Sequence, residues 1–416
     1  MTPARAARLL ATGACCAGAA ILVLAAPGLA SADAAPRPPA LSVTGAALYA
    51  PATGQLLYGV NPRRRLPIAS TTKLMTALIT LRHVHRLSTV FTQTDWYPAS
   101  DDSQIGLVPG ERMSVHDLLI ALLLPSADDA AEDLAYNIGG GSVARFVAMM
   151  NAQARALALR DTHYSTPIGL DTPDNYSSAA DLDLLAAYDM THSAFFARVV
   201  ALGHAVLRLG DEVREVVNRD DLVGSYPWID GVKTGHTARA GYVLVSSAHR
   251  DGLWLVGAVL GTDSEQSRDV NALALMDYGY ARFRVWAPVR AGEPLARVRV
   301  AGQPGSRATL VAARSFTRVL PRTDRLRVRE IVSRRLSAPL PRGAVVGRAI
   351  VTDGRRVLAR VPLALSAALA ASPPSAGSPT PATGTAPLAT AGYVRVSRAL
   401  RLAAQRWRSR EGRARA

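Results

Sequence analysis

The chain has almost no cysteine and almost no lysine. Its two cysteines, Cys15 and Cys16, are adjacent and sit near the start of the sequence. That segment reads as an export leader. The chain beyond it therefore has no disulfide framework, no Cys-based metal site and no cysteine nucleophile. No apolar run of about 20 residues follows the leader, which excludes an ordinary multi-span membrane protein. Charged residues are only 19% of the chain, but apolar residues are 49%, which excludes wholesale disorder.

The lysine shortage is the more informative one. Of 48 basic residues, 46 are Arg and two are Lys, Lys73 and Lys233. Arg cannot give up its proton in a protein, whereas a partly buried Lys can. Where either residue would serve, this chain uses Arg. Both lysines are thus candidate functional residues before any motif is considered.

The net charge of +16 conceals a division. Residues 1–283 carry 22 basic and 27 acidic residues, and residues 284–416 carry 26 and 5. Such a basic half ordinarily suggests nucleic acid. The chain start argues against that partner. In residues 1–32, Arg5 and Arg8 precede an Ala-rich apolar stretch, Leu9 to Leu29, and then Ala30-Ser31-Ala32, an A-x-A cleavage site. This reads as a signal peptide, with an uncleaved anchor helix as the alternative. An exported protein associated with the membrane or cell wall does not routinely meet nucleic acid.

Residues 367–391 are dominated by Ser, Pro, Ala, Thr and Gly, as a linker would be. In residues 392–416, Val396, Leu400, Ala403, Ala404 and Trp407 recur at helical spacing amid arginines. This basic tail reads either as an amphipathic helix for an anionic membrane surface or as a disordered Arg-rich segment.

Between the ends, residues 38–283 read as strands, then helices, then strands. A strand pair surrounds Pro51–Gly54. Helical patterns follow over 67–81, 117–124, 128–138, 142–159 and 179–190. Strand-like runs cover 231–236, 241–248 and 253–261, and a closing helix covers 265–281. This order predicts an α+β domain, an antiparallel sheet packed against helices. Residues 284–366 alternate apolar residues with Arg and read as a small β-rich domain.

Ser70-Thr71-Thr72-Lys73 places a hydroxyl and an amine one helical turn apart. Pro67 puts Ser70 near a helix start, where N–H groups favour a developing oxyanion. A Lys in apolar surroundings has a lowered pKa and can act as the base a serine needs. Lys233 lies in Gly231-Val-Lys233-Thr234-Gly235-His236-Thr237, where Lys and Thr beside a Gly suit a ligand carboxylate. Between the two lies Pro125-Ser126-Ala127-Asp128. S-x-x-K, S-x-D and K-T-G in this order are a strong joint signal, although S-x-x-K alone is weak. His83, His85, His116, His163, His204 and His249 are scattered, with neither metal-ligand spacing nor a Ser–His–Asp arrangement.

On these motifs the chain resembles the D-alanyl-D-alanine carboxypeptidases among the low-molecular-mass penicillin-binding proteins. Pro67–Thr76, Leu122–Ala130 and Tyr176–Leu182 carry the resemblance, and Ala338–Gly347 extends it weakly into the β-rich part. The resemblance implies a β-lactamase/transpeptidase-like fold and no cofactor or metal. The implied partners are peptidoglycan stem peptides ending in D-Ala-D-Ala, and β-lactam antibiotics. It implies Ser70 as the acylated nucleophile, Lys73 as its base and Ser126 as a proton relay. Lys233 and Thr234 would hold the substrate carboxylate with help from Arg268, and the N–H groups of Ser70 and His236 would form the oxyanion hole.

One residue departs from the pattern. Asp128 stands where the motif usually has Asn. A carboxylate accepts hydrogen bonds but donates none unless protonated. Two other readings share the motifs. A class A β-lactamase would need a deacylating Glu between the second and third motifs, and Ile168–Tyr176 contains none. A wall-binding homologue whose acyl site has decayed at Asp128 is the other.

Overall fold

The structure is a computed structural model that describes residues 36–99, 102–208 and 212–371. The expected leader, most of the linker and the basic tail lie outside the described residues.

Five strands form one antiparallel sheet in the order Gln55–Val60, Gly45–Ala50, Leu253–Thr262, Gly241–Arg250 and Ile229–Thr237. The strand pair at 45–60 therefore joins the three strands at 229–262, through the pairing of Gly45–Ala50 with Leu253–Thr262, across the helices between them. Along Gly241–Arg250, Val243 and Val245 join the core beneath the intervening helices, while Leu244 and Ala248 join the opposite core. Both faces of the sheet are thus covered, as the run of apolar residues in these strands requires.

Seven α-helices lie among the described residues: α1 Lys73–His83, α2 Val115–Leu123, α3 Asp128–Ile138, α4 Val143–Ala156, α5 Ala179–His192, α6 Ala194–Val200 and α7 Glu265–Arg282; α5, α6 and α7 lie directly against this sheet, while α1 to α4 pack on one another. The expected helical segments are present with ends shifted by a few residues. The short helix α6 and two two-stranded ribbons, Val90–Thr92 with Arg112–Ser114 and His204–Leu207 with Arg214–Val217, are additional. Helix α7 lies on the far face with Leu275 and Met276 in the second core.

The helix starts divide into two kinds. Helices α2, α4, α5, α6 and α7 begin after Ser114, Ser142, Ser178, Ser193 and Ser264, whose side chains accept the N–H of the third helical residue. Such a cap is worth about 1 kcal/mol. Helices α1 and α3 have no side-chain cap. Instead the chain approaches them through left-handed residues, Ala69 at φ 47° and Ser126 at φ 68°. Both are conformations that non-glycine residues rarely adopt. These two starts carry the first two sequence motifs.

The C-terminal part is β-rich, as expected. A six-stranded sheet runs Leu326–Val332, Val345–Asp353, Arg356–Leu365, Arg307–Ala312, Pro294–Val300 and Arg335–Leu336. Its inner face buries Val298, Leu310, Val351 and Leu363. A two-stranded ribbon, Phe283–Val289 with Phe316–Pro321, lies toward the five-stranded sheet. There the Gln55 side chain donates to Val319 O at 3.1 Å and accepts from Val319 N at 3.2 Å.

Candidate active site

Ser70 sits inside a 3₁₀ turn, Ala69–Thr72, that runs directly into α1. The turn leaves Ser70 half-buried while Lys73, the first residue of α1, is wholly buried. The Lys73 ammonium reaches three acceptors: Ser70 Oγ at 2.8 Å, Asp128 Oδ1 at 2.5 Å and Ile168 O at 3.1 Å. The expected hydroxyl–amine pair is thus formed.

Two glycines allow backbone to close on this turn. A Cβ on Gly169, whose φ is +100°, would stand 2.0 Å from Ala69 O. A Cβ on Gly235 would stand 2.9 Å from Ser70 N. The K-T-G strand therefore runs against the Ser70 turn because Gly235 has no side chain. The loop that contains Gly169 is tied to that strand. Thr237 Oγ1 donates to Asp171 Oδ1 at 2.7 Å, and Arg239 N donates to Asp171 Oδ2 at 2.9 Å.

The second motif joins from the start of α3. Ser126 is buried and its Oγ has no hydrogen-bond partner. Asp128 is the first residue of α3 and is bound to Lys73 rather than to Lys233. Its neighbour Asp129 turns away and accepts the backbone N–H groups of Ile105 at 3.1 Å and Leu107 at 3.0 Å. The two adjacent acids thus have separate tasks, and the S-x-D register is the one that meets Lys73.

In the third motif, Lys233 and Thr234 are both buried, and Lys233 Nζ donates to Thr234 O at 3.1 Å. His236 is exposed and stacks on Tyr242, with ring centroids 4.0 Å apart. Arg268 is 2% exposed and is held by acids of its own helix, by Asp269 at 2.8 Å and Glu265 at 3.4 Å. Its Nη2 is buried without a partner, so the two N–H groups of that nitrogen remain for a ligand.

Burial dominates the electrostatics. It pushes the Lys73 pKa down, and the Asp128 carboxylate opposes that shift. It pushes Asp128 up, opposed by Lys73. Lys233 is lowered well below its ordinary value, by burial first and then by the Lys73 charge. Both lysines are therefore biased toward the neutral amine, as burial of an ammonium requires.

Three residues near the motifs were not singled out from sequence. Glu132 lies one turn beyond Asp128 on α3 and is pushed to about 7, by burial and then by the Asp128 charge. The helical spacing of four was a readable signal for it. Asp220 is raised to about 6, by burial first, while Arg268 and Lys233 lower it. Arg219 beside it acts electrostatically on both lysines. Nothing in the loop sequence pointed to the last two.

Together these groups can perform acyl transfer. A hydroxyl lies within hydrogen-bond reach of an amine that burial biases toward its neutral form. Ser70 N lies against the K-T-G strand, and a second hydroxyl is free of partners.

A family model described as D-alanyl-D-alanine carboxypeptidase, Peptidase_S11, matches residues 32–264. The D-alanyl-D-alanine carboxypeptidase DacD of Salmonella typhimurium is 32% identical over 343 residues, which cover 79% of this chain and 87% of that protein. DacF of Bacillus subtilis is 27% identical, with 75% and 82% covered. Among solved structures, penicillin binding protein 5 from Haemophilus influenzae superposes with a TM-score of 0.64 at 27% identity, covering 80% of this chain and 99% of that one. The Streptomyces K15 DD-transpeptidase gives 0.56 at 32% identity, and 59% of this chain covers 99% of it.

Proposed function

The chain belongs to the D-alanyl-D-alanine carboxypeptidase family, and from that premise we propose how its residues divide the reaction. Ser70 Oγ attacks the carbonyl of the penultimate D-alanine in a peptidoglycan stem peptide, and Lys73 takes the hydroxyl proton. The N–H groups of Ser70 and His236 stabilise the oxyanion of the tetrahedral intermediate. Ser126 passes a proton to the leaving amine, and D-alanine departs. Lys233 and Thr234 hold the substrate's terminal carboxylate, with the free nitrogen of Arg268 in support. Water then hydrolyses the ester on Ser70. A β-lactam enters by the same attack and stays as an acyl adduct.

The observation that carries this reading is the 2.8 Å contact between Ser70 Oγ and the buried Lys73 amine. Asp128 tempers it, because an adjacent carboxylate favours the protonated lysine. The 168–171 loop argues against a class A β-lactamase. It offers Lys73 a backbone carbonyl, Ile168 O, and its single carboxylate, Asp171, is engaged by Thr237 and Arg239.

The enzyme acts outside the cytoplasm after export on its leader. Residues 392–416 bring it to an anionic membrane surface. Deletion of that segment releases the protein from anionic vesicles and leaves hydrolysis of a soluble peptide unchanged. Equal vesicle binding by the truncated form would refute the tail assignment.

The test of the reaction is D-alanine release from a soluble peptide ending in D-Ala-D-Ala, measured beside labelled penicillin. Release together with a stable adduct is expected. Rapid turnover of penicillin without D-alanine release would identify a β-lactamase. Neither reaction would identify a decayed site.

A further inference from the structure

The strongest feature outside the active site lies on the C-terminal sheet. Residues 284–371 contain 18 arginines and four acidic residues. Three of these arginines meet in register. Arg299, on Pro294–Val300, is the direct antiparallel partner of Arg307 and the direct parallel partner of Arg335. All three are exposed. Neighbouring strands lie about 4.8 Å apart, and like charges placed directly opposite are destabilising. Among the described residues, none of the three forms an ion pair. Arg297 adds a fourth guanidinium two residues along the same strand and face.

The row is concave. Arg299, Arg307 and Arg335 line a groove of about 470 Å³ whose other wall is the 301–306 turn, including Ser306. We propose that this arginine row is a docking site for a phosphodiester polyanion, so that the C-terminal domain holds the enzyme on an anionic polymer. An anion seated between the guanidiniums removes the mutual repulsion that the free protein tolerates.

Donor count selects the chemistry. Three guanidiniums offer up to about 15 N–H donors, more than the roughly four acceptor positions of one planar carboxylate. A phosphodiester carries its charge on tetrahedral oxygens that several arginines can share, and Arg is the residue suited to phosphate. The lining also selects a polymer over a lipid surface. It contains no aromatic or long aliphatic side chain to enter an acyl layer, and interfacial binding relies on such groups.

The test uses the full-length chain and a fluorescent poly(glycerol phosphate) oligomer. The triple variant Arg299→Gln/Arg307→Gln/Arg335→Gln is compared with a charge-matched control, Arg342→Gln/Arg355→Gln/Arg356→Gln. The row variant should bind the oligomer on the order of 10-fold or more weakly, with a shallower salt dependence, while the control changes on the order of threefold or less. The row variant should melt no lower than the native protein and should hydrolyse a soluble peptide at the native rate, which keeps misfolding separate from loss of docking. Equal losses in both variants, or in neither, would overturn the proposal. So would equal binding of polyglutamate, or binding confined to anionic vesicles.

Discussion

The two halves of the molecule use charge in opposite ways. In the catalytic half, charges are few at the site, buried and placed one by one: Lys73, Asp128, Glu132, Asp220 and Lys233 all lie out of solvent. The resolved pKa shifts fall there too, apart from that of Asp324. In the C-terminal half, charges are many, mostly exposed and predominantly of one sign. Burial makes a single charge consequential, because desolvation and a nearby partner each act on it strongly. Exposure makes a single charge dispensable, and only the row acts. Charge therefore tunes a reaction in one half and builds a field in the other.

The largest expected effect breaks the catalytic half. Lys73→Arg keeps a cation but removes the group that can accept a proton. Acylation by labelled penicillin should fall by roughly 10²–10⁴, the range for a general base. Native-rate acylation by this variant would remove Lys73 from that role.

A smaller effect, of opposite sign, comes from Asp128→Asn. Asp128 favours the protonated form of Lys73. Loss of its charge lowers the lysine pKa further, so the rise of acylation with pH should move to lower pH. An amide can also donate to a substrate carbonyl, and kcat/KM on a D-Ala-D-Ala peptide should rise roughly 10-fold, from about 1.4 kcal/mol. Paired pH–rate profiles check this. A variant slower than the native enzyme at every pH would show that the site has adapted to its carboxylate.

The third effect concerns stability rather than rate. Asp189 on α5 is fully buried, its carboxylate has no hydrogen-bond partner, and burial raises its pKa well above the ordinary value. A group with a raised folded-state pKa contributes stability below its unfolded value, and that contribution fades as pH rises through the folded value. Asp189→Asn should therefore gain Tm relative to the native protein as pH increases from 4 to 8, at roughly 2–4 °C per kcal/mol. A Tm difference independent of pH would contradict this. The smallest effect belongs to the other half. Arg329→Gln, an exposed single charge on the C-terminal sheet, should change stability by less than about 0.5 kcal/mol in denaturant unfolding.

Much of the site was legible because its chemistry sits in short local patterns. Ser70 and Lys73 share one turn, Ser126 and Asp128 another, and lysine scarcity marked both cations. The helices were legible from apolar spacing, and Ser193 could have signalled α6, since it caps that helix as its counterparts cap four others. What stayed hidden has no side-chain signature. Ile168 contributes a carbonyl, which any residue possesses. The left-handed turns at Ala69 and Ser126 use residue types that ordinarily avoid positive φ. Arg219 and Asp220 reach the lysines through tertiary folding of a loop. The arginine row needs a strand register, including the parallel pairing of a two-residue strand, that alternation alone does not specify.

We propose that Ser70, with Lys73 as its base, carries the reaction through a covalent acyl-enzyme. Peptide mass mapping of the full-length chain after incubation with benzylpenicillin tests it most directly. One adduct is expected, on the peptide that contains Ser70, with its complete loss in Ser70→Ala and the thermal melt unchanged. An adduct on any other residue, or undiminished labelling of Ser70→Ala, would contradict it.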